Sequence, residues 1–209
     1  VKRFSKIFFD LDGTLLDSQP GIENGIRHAL NSFGINNITS REIRSIIGTP
    51  LPESLRKNYF SNEQDVWEAV KRFREYYSTQ GLYESRPYAG VEEILSHSSA
   101  IAETYVLTAK PIPFAVKMLT HHKLIGHFKE VFGCNLNDAS FSKADCLIQV
   151  AGKNAIMIGD KKEDILAGKA ASTQTAGVLY GYGLPEEITS ASPNHIIPSV
   201  QDLKNFFLL

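Results

Sequence analysis

Four short runs along the chain are apolar enough to be buried strands: residues 6–10, 104–108, 155–159 and 175–180. Each is rich in Ile, Val, Phe or Tyr, and three of them stop against polar or glycine residues. A weaker fifth run covers 130–132. Helical spacing follows the second strand over 113–122, precedes the strand at Ala155 over 143–150, and follows that strand over 162–171. Strands alternating with helices predict an α/β fold, a Rossmann-like parallel sheet covered on both faces. Sites in such sheets lie beyond the carboxyl ends of the strands. Asp10, Thr108 and Asp160 all fall at or just past such an end.

Residues 17–85 break this rhythm. Helical spacing runs over 21–33, 51–59 and 63–80, the last containing the only tryptophan, Trp67, and no convincing strand interrupts it. The simplest organisation is an all-α domain, 17–85, inserted into an α/β domain made of 1–16 and 86–209. Pro87, Ala89 and Gly90 mark the return, and a new helix opens at Val91. From 184 to 198 the chain is rich in Pro, Ser and Asn and reads as loop with a short strand, 195–197, before a last helix, 200–207.

A length of 209 residues suits one domain with a modest insertion. A hydrophobic share of 43% supports a core without disulfides, and the net charge of -1 gives no field for nucleic acid or an anionic membrane. An anionic ligand must then be held by local chemistry. Cys134 and Cys146 have no metal-ligand spacing and read as thiols in a reducing compartment. No apolar run approaches the ~20 residues of a membrane span. The basic residues Lys2, Arg3 and Lys6 precede an apolar stretch too short for a signal peptide. The expectation is a cytoplasmic protein.

The chemistry concentrates in KIFFDLDGTLLDS, 6–18, where an apolar strand runs into Asp10 and Asp12. Asp12-Gly13 could be an ordinary turn, which leaves Asp10 unexplained. Burying unpaired carboxylates costs several kcal/mol, roughly, and neighbouring ones repel. A bound hard cation such as Mg²⁺ accounts for both. MIGDKKEDILAG adds Asp160 after a second apolar strand and Asp164 four residues on, a spacing that shares one helix face. Taken alone, that pair could be a helix cap and a solvated face. Thr108, in VLTAKP, could combine a hydroxyl with free backbone N–H groups as an anion site, or simply cap the next helix. Lys143 opens a helix and is the basic candidate, with Lys110 the alternative.

In this order, DLDGT, LT after a strand, a lysine opening a helix and IGDKKED resemble the motifs of the haloacid dehalogenase superfamily. The likeness runs over essentially the whole chain. The insertion point is similar to that of the family's helical C1 cap. IIGTPLPESL, YYSTQGLYESRPYAGVEEIL and GVLYGYG resemble the phosphoglycolate phosphatase-like branch. The resemblance implies an Mg²⁺-dependent phosphatase working through an aspartyl phosphate. It implies Asp10 as nucleophile, Asp12 as general acid and then base, and Lys143 as the group that neutralises Asp10. It also implies Thr108 and the N–H of Ala109 on the phosphoryl oxygens, with Gly13 and Thr14 lining the substrate. The metal would be held by Asp10, Asp160, the carbonyl of Asp12 and, through water or as an orienting group, Asp164. An acid at position 12 favours a phosphatase or phosphomutase over a dehalogenase or transport ATPase. The sequence departs from the pattern at Ala109, where the branch often has Asn, and in the 16 residues between Lys143 and Asp160, a short connection for the family.

Substrate choice would lie in the cap. The expected loop Gly48-Thr49-Pro50 makes Thr49 a substrate-binding candidate. Arg44, Arg56, Lys57 and Arg86 could meet an anionic group or stand on solvated helix faces. The expected ligand is a small phosphorylated metabolite such as 2-phosphoglycolate, with sugar phosphate, nucleoside monophosphate or pyrophosphate close behind. A catalytically silent binding protein is the remaining reading, and four intact motifs argue against it. The protein is expected to be a monomer or homodimer.

Overall fold

A computed structural model describes residues 4–47, 49–136 and 141–208, apart from the side chains of Arg44, Ser45 and Leu208. The chain divides into two compact units, Val1–Asp17 with Pro87–Leu209, and Ser18–Arg86.

The first unit is built on six parallel strands: β1 (Lys6–Phe9), β2 (Glu103–Pro111), β3 (Glu130–Cys134), β4 (Ala155–Gly159), β5 (Gln174–Val178) and β6 (His195–Ile197). Their spatial order is β3-β2-β1-β4-β5-β6. Strand order therefore reverses beside β1, which pairs with β2 through Phe9 and Val106 and with β4 through Phe9 and Ile158. A crevice opens at such a reversal.

Ile7, Phe8 and Phe9 are fully buried, as the unbroken apolar run requires for a central strand covered on both faces. Alternate side chains go to opposite layers. Phe8 joins Leu107, Met157 and Leu147 of α7 (Lys143–Val150), while the Phe9 ring meets Phe207 of α10 (Val200–Leu208) at 6.0 Å. The other helices of this unit are α5 (Val91–Ile101), α6 (Ile112–His121), α8 (Lys162–Ala170) and α9 (Pro185–Ser190).

Three elements of this unit differ from the sequence expectation. β2 does not end at Thr108 but continues to Pro111, its register against β3 shifting between Leu107 and Pro111. Gly133 makes room for this irregularity, since a Cβ there would stand 2.5 Å from the carbonyl oxygen of Lys110. α9 lies inside the segment read as loop; with six residues it is too short to show periodicity, and Pro185 fits its first turn. The strand at 174–178 ends two residues before the expected boundary.

The second unit holds α1 (Gln19–Asn31), α2 (Ser40–Ile46), α3 (Leu51–Asn58) and α4 (Glu63–Thr79) around Ile26, Leu30, Ile43, Leu55, Val66 and Val70. α2 was not expected. Its signal is a capping box: Thr39 Oγ1 accepts from Glu42 N at 3.2 Å, and Glu42 Oε2 accepts from Thr39 N at 2.7 Å. Trp67 is exposed on α4. Cys134 and Cys146 are half-buried thiols outside any disulfide. Among the described residues no helix is long and apolar enough to cross a membrane.

Candidate functional site

The reversal point sets Asp10 and Asp160 side by side. Asp10 directly follows β1, and its N–H donates to the carbonyl of Ile158 at 2.9 Å. Asp160 directly follows β4. Asp164 arrives from α8, and one carboxylate oxygen from each of the three lies within 4.8 Å of the others. All three residues are buried. Asp160 and Asp164 do not share the helix face that their spacing predicted. α8 begins at Lys162, so Asp160 stands before the helix and Asp164 in its first turn. What joins them is the tight strand-to-helix turn, in which Asp164 Oδ2 accepts from Lys161 N at 3.1 Å.

Two lysines enter this cluster. Ser142 caps α7 by accepting from Asp145 N at 3.1 Å, which places Lys143 at the first helical position. Its Nζ donates to Asp164 Oδ1 at 2.6 Å and lies 3.0 Å from Asp10 Oδ1. Lys110 is also buried, and its Nζ is 2.8 Å from Asp12 Oδ2. The two basic candidates are thus not rivals for one place: Lys143 faces Asp10 and Asp164, Lys110 faces Asp12. The short connection between Lys143 and Asp160 retains α7 and leaves only a four-residue link, 151–154, before β4.

The two central aspartates are satisfied very differently. Asp160 Oδ1 accepts from Thr14 Oγ1 at 3.2 Å, and Oδ2 accepts from Tyr182 N at 2.7 Å and Gly183 N at 3.3 Å. Asp10 Oδ1, despite its ion pair with Lys143, takes part in no hydrogen bond, alone among buried side-chain oxygens and nitrogens of the described residues. Burial pushes the Asp10 carboxyl up to about 6, with Lys143 opposing and Asp164 and Asp12 reinforcing. Burial first, and then Asp10, push Asp160 up to about 6, with the Tyr182 amide and Lys161 and Lys143 opposing. Burial also raises Asp164, against the pull of Lys143. For Lys143 burial alone would lower the ammonium, but Asp10 and Asp164 outweigh it and hold the group above its usual value.

This arrangement fits a hard divalent cation. Four carboxylates meet two ammonium groups, which leaves two negative charges uncompensated when all are ionised. The donors are oxygens, and one of them is buried without a hydrogen bond. Asp12 stands apart from the triad through its carboxylate, which faces Lys110; its backbone carbonyl was the expected ligand atom. Both oxygens of Asp164 are engaged by Lys143 and Lys161.

The anion site expected at Thr108 needs correction in one respect. α6 begins at Ile112 with Pro111 before it, so Thr108 is not its cap and the site is not a helix N-terminus. Thr108 is buried in the irregular stretch of β2, where its Oγ1 accepts from Lys110 N at 3.2 Å. Ala109 beside it is exposed. Thr14 also differs from expectation: it is fully buried, with its hydroxyl spent on Asp160 instead of being free to line a substrate. Gly13 adopts φ +84°, and an added Cβ would meet Asp160 Oδ2 at 2.3 Å, so glycine is required for the carboxylate to sit there.

Residues 7–178 match the family described as haloacid dehalogenase-like hydrolase. The chain belongs to the haloacid dehalogenase-like hydrolases. The hydrolase is 32% identical to a 5'-nucleotidase of Pseudomonas aeruginosa, across 97% of this chain and 95% of that protein. It is 29% identical to a phosphoglycolate phosphatase of Photobacterium profundum, across 94% and 93%. A crystal structure of a predicted phosphatase from Clostridium acetobutylicum is similar at a TM-score of 0.90 and 31% identity, covering 98% of each chain. With these relatives the chain is a phosphoric monoester hydrolase of the family.

In the hydrolase's helical unit, Thr49 is exposed and its hydroxyl donates to the carbonyl of Ile46 at 3.0 Å. Gly48 and the Arg44 side chain lie outside the described residues. Arg56 is engaged by Glu63 through two contacts, 2.5 and 2.9 Å, on an exposed surface. Lys57 and Arg86 are exposed. The residues that sequence reasoning missed belong to the α/β unit: Lys110 as the partner of Asp12, and the Gly181-Tyr182-Gly183 loop that cradles Asp160. The density of glycine just after β5 was the available signal, since a Cβ at Gly181 would lie 2.4 Å from Asp160 Cβ and one at Gly183 would lie 1.8 Å from its carbonyl oxygen.

Proposed function

We propose that this hydrolase is an Mg²⁺-dependent phosphomonoesterase that acts on a small phosphorylated metabolite through an aspartyl phosphate at Asp10. The observation that carries the reading is the state of Asp10 Oδ1: buried, at a strand end, 3.0 Å from the Lys143 ammonium and without a hydrogen bond. A carboxylate that no amide or hydroxyl holds can turn toward phosphorus, whereas one held by such donors on both oxygens, like Asp160, cannot.

In the first step an oxygen of Asp10 bonds to phosphorus, the ester P–O bond breaks, and the leaving alkoxide takes a proton from the Asp12 carboxyl. In the second, the Asp12 carboxylate takes a proton from water, the water oxygen attacks phosphorus, and the acyl phosphate P–O bond breaks to restore Asp10. Lys110 fixes where the Asp12 carboxyl points. Lys143 offsets the repulsion between an anionic nucleophile and an anionic ester. Thr108 and the N–H of Ala109 hold phosphoryl oxygens. Asp10, Asp160 and the Asp12 carbonyl would hold Mg²⁺, with Asp164 orienting. When bound, the ion supplies positive charge to the cluster and to the transferring group.

The leading substrate reading is a small ester such as 2-phosphoglycolate, with Thr49 and its loop in the helical unit, which we read as a cap over 17–85, contributing to selection. A nucleoside monophosphate is a second reading, favoured by the 5'-nucleotidase of Pseudomonas aeruginosa at 32% identity. The test is phosphate release with Mg²⁺ from 2-phosphoglycolate, nucleoside monophosphates, sugar phosphates, pyrophosphate and p-nitrophenyl phosphate. The highest kcat/KM on phosphoglycolate supports the first reading, and on a nucleotide the second. Conversion of glucose 1-phosphate to glucose 6-phosphate would make the protein a mutase instead. No phosphate from any compound would overturn the enzymatic reading.

A further inference from the structure

Three residues of the loop after β5, Tyr180, Tyr182 and Gly183, reach three different points of the site. Tyr180 OH donates to the carbonyl of Thr14 at 3.0 Å. The N–H groups of Tyr182 and Gly183 donate to Asp160 Oδ2 at 2.7 and 3.3 Å. Tyr182 OH donates to Asp17 Oδ1 at 2.8 Å. Thr14, whose carbonyl Tyr180 holds, donates its own hydroxyl to the other oxygen of Asp160. The loop and the 13–17 segment therefore grip the Asp160 carboxylate from both sides and are bonded to each other at both ends.

The fit leaves little slack. Gly181 and Gly183 lie so close to Asp160 that no side chain could replace their hydrogens. Backbone amides placed this way define the orientation of Asp160 Oδ2, but glycines on either side of Tyr182 give the backbone no stiffness of its own. Stiffness has to come from side-chain anchors, and Tyr182 is the residue that is both anchor and amide donor. Its bond to Asp17 is charge-assisted, the stronger kind. The Tyr88 ring backs the other anchor, edge-on to Tyr180 at 5.2 Å.

We propose that Tyr182 is a positioning residue for Asp160: its hydroxyl, anchored on Asp17, holds the loop so that its amide fixes the Asp160 carboxylate for a divalent cation. This rests on the reading of Asp160 as a cation ligand. Groups that orient a metal ligand typically change metal affinity or activity about 10–100-fold when removed.

The test uses the full chain and its Tyr182→Phe, Asp17→Ala, Asp17→Asn and Tyr182→Phe/Asp17→Ala variants. Mg²⁺ binding is measured by calorimetry without substrate, together with the melting temperature without metal and kcat and KM for p-nitrophenyl phosphate at saturating Mg²⁺. Tyr182→Phe and Asp17→Ala are each expected to weaken Mg²⁺ about tenfold, with the metal-free melting temperature and KM little changed. The double variant is expected to lose less than the sum of the two single losses, because both remove the Tyr182–Asp17 bond. Asp17→Asn retains an oxygen acceptor and is expected to keep nearly wild-type affinity. If Tyr182→Phe does not fold, Asp17→Ala reads the bond from its other end. Wild-type affinity in folded Tyr182→Phe and Asp17→Ala, or losses that simply add in the double, would overturn the positioning role while leaving the cation reading intact. A wild-type protein that binds no Mg²⁺ would overturn the cation reading and the positioning role with it.

Discussion

The ends of β1 and β4 are neighbours in one sheet, each closing a buried apolar strand with an aspartate, yet they are finished in opposite ways. At the β4 end, Asp160 is held by the Thr14 hydroxyl and two backbone amides. At the β1 end, Asp10 keeps a buried oxygen without a hydrogen bond and has a lysine ammonium beside it. The same burial raises both carboxyls to about 6. Burial therefore does not distinguish them; satisfaction does. On the proposed function, holding falls to the strand end whose carboxylate is fixed by amides and a hydroxyl, and chemistry to the other.

Substitutions at the two ends should separate these roles. Asp10→Asn keeps size and removes the reactive oxygen, so kcat for phosphate release should fall by about 10⁴-fold or more. Retention of more than a trace would remove Asp10 as nucleophile. Lys143→Met takes the cation from between Asp10 and Asp164 and should lower kcat about 10²–10³-fold. It should also destabilise the protein by about 3–5 kcal/mol, because two buried carboxylates lose their partner. Unchanged melting and unchanged kcat would contradict the ion-pair geometry. Asp160→Asn can still accept the Tyr182 and Gly183 amides, so the fold should survive while Mg²⁺ affinity falls by at least about tenfold. An unaltered Mg²⁺ titration would exclude that residue as a ligand.

A further effect is on stability and depends on pH. A carboxyl raised on folding binds more protons in the folded state than in the unfolded one between its two values. Stability contributed by Asp10 is therefore full below about 4 and falls as pH rises through about 6. Without metal, Asp10→Asn should be more stable than the wild type above about pH 6, on the order of 3 kcal/mol, and the gap should close as pH falls toward 4. Denaturant titrations at several pH values measure it. A gap independent of pH would mean that Asp10 is not strained by burial.

The α/β unit was the more legible half of the sequence because its chemistry is attached to punctuation. An apolar run that stops on Asp10 or Asp160 announces both a strand end and a carboxylate there. Lys143 was legible through the helix it opens. Lys110 was named only as an alternative to Lys143, and its pairing with Asp12 was not legible: it depends on β2 continuing through an irregular register to Pro111, and Gly133, the residue that permits this, lies on another strand. The cradle of Asp160 was hidden because it is made of backbone amides, which carry no side-chain signature; only the glycines around Tyr182 hinted at it. In the helical unit, amphipathic spacing gave α1, α3 and α4, while seven-residue α2 was too short for periodicity and was marked only by Thr39 and Glu42. Spacing reveals which face of a helix is buried but not what a surface arginine meets. Arg56 shows this, paired with Glu63 where an anionic ligand was one of the expectations.

The central assertion is that the phosphoryl group passes through Asp10, and trapping tests it most directly. Protein quenched during turnover is treated with borohydride, which reduces an acyl phosphate to an alcohol, and its peptides are sequenced by mass spectrometry. Substrate-dependent conversion of Asp10 to homoserine, with Asp12, Asp160 and Asp164 unmodified, is the predicted result. Turnover that leaves Asp10 unmodified, or that marks a different carboxylate, would contradict it.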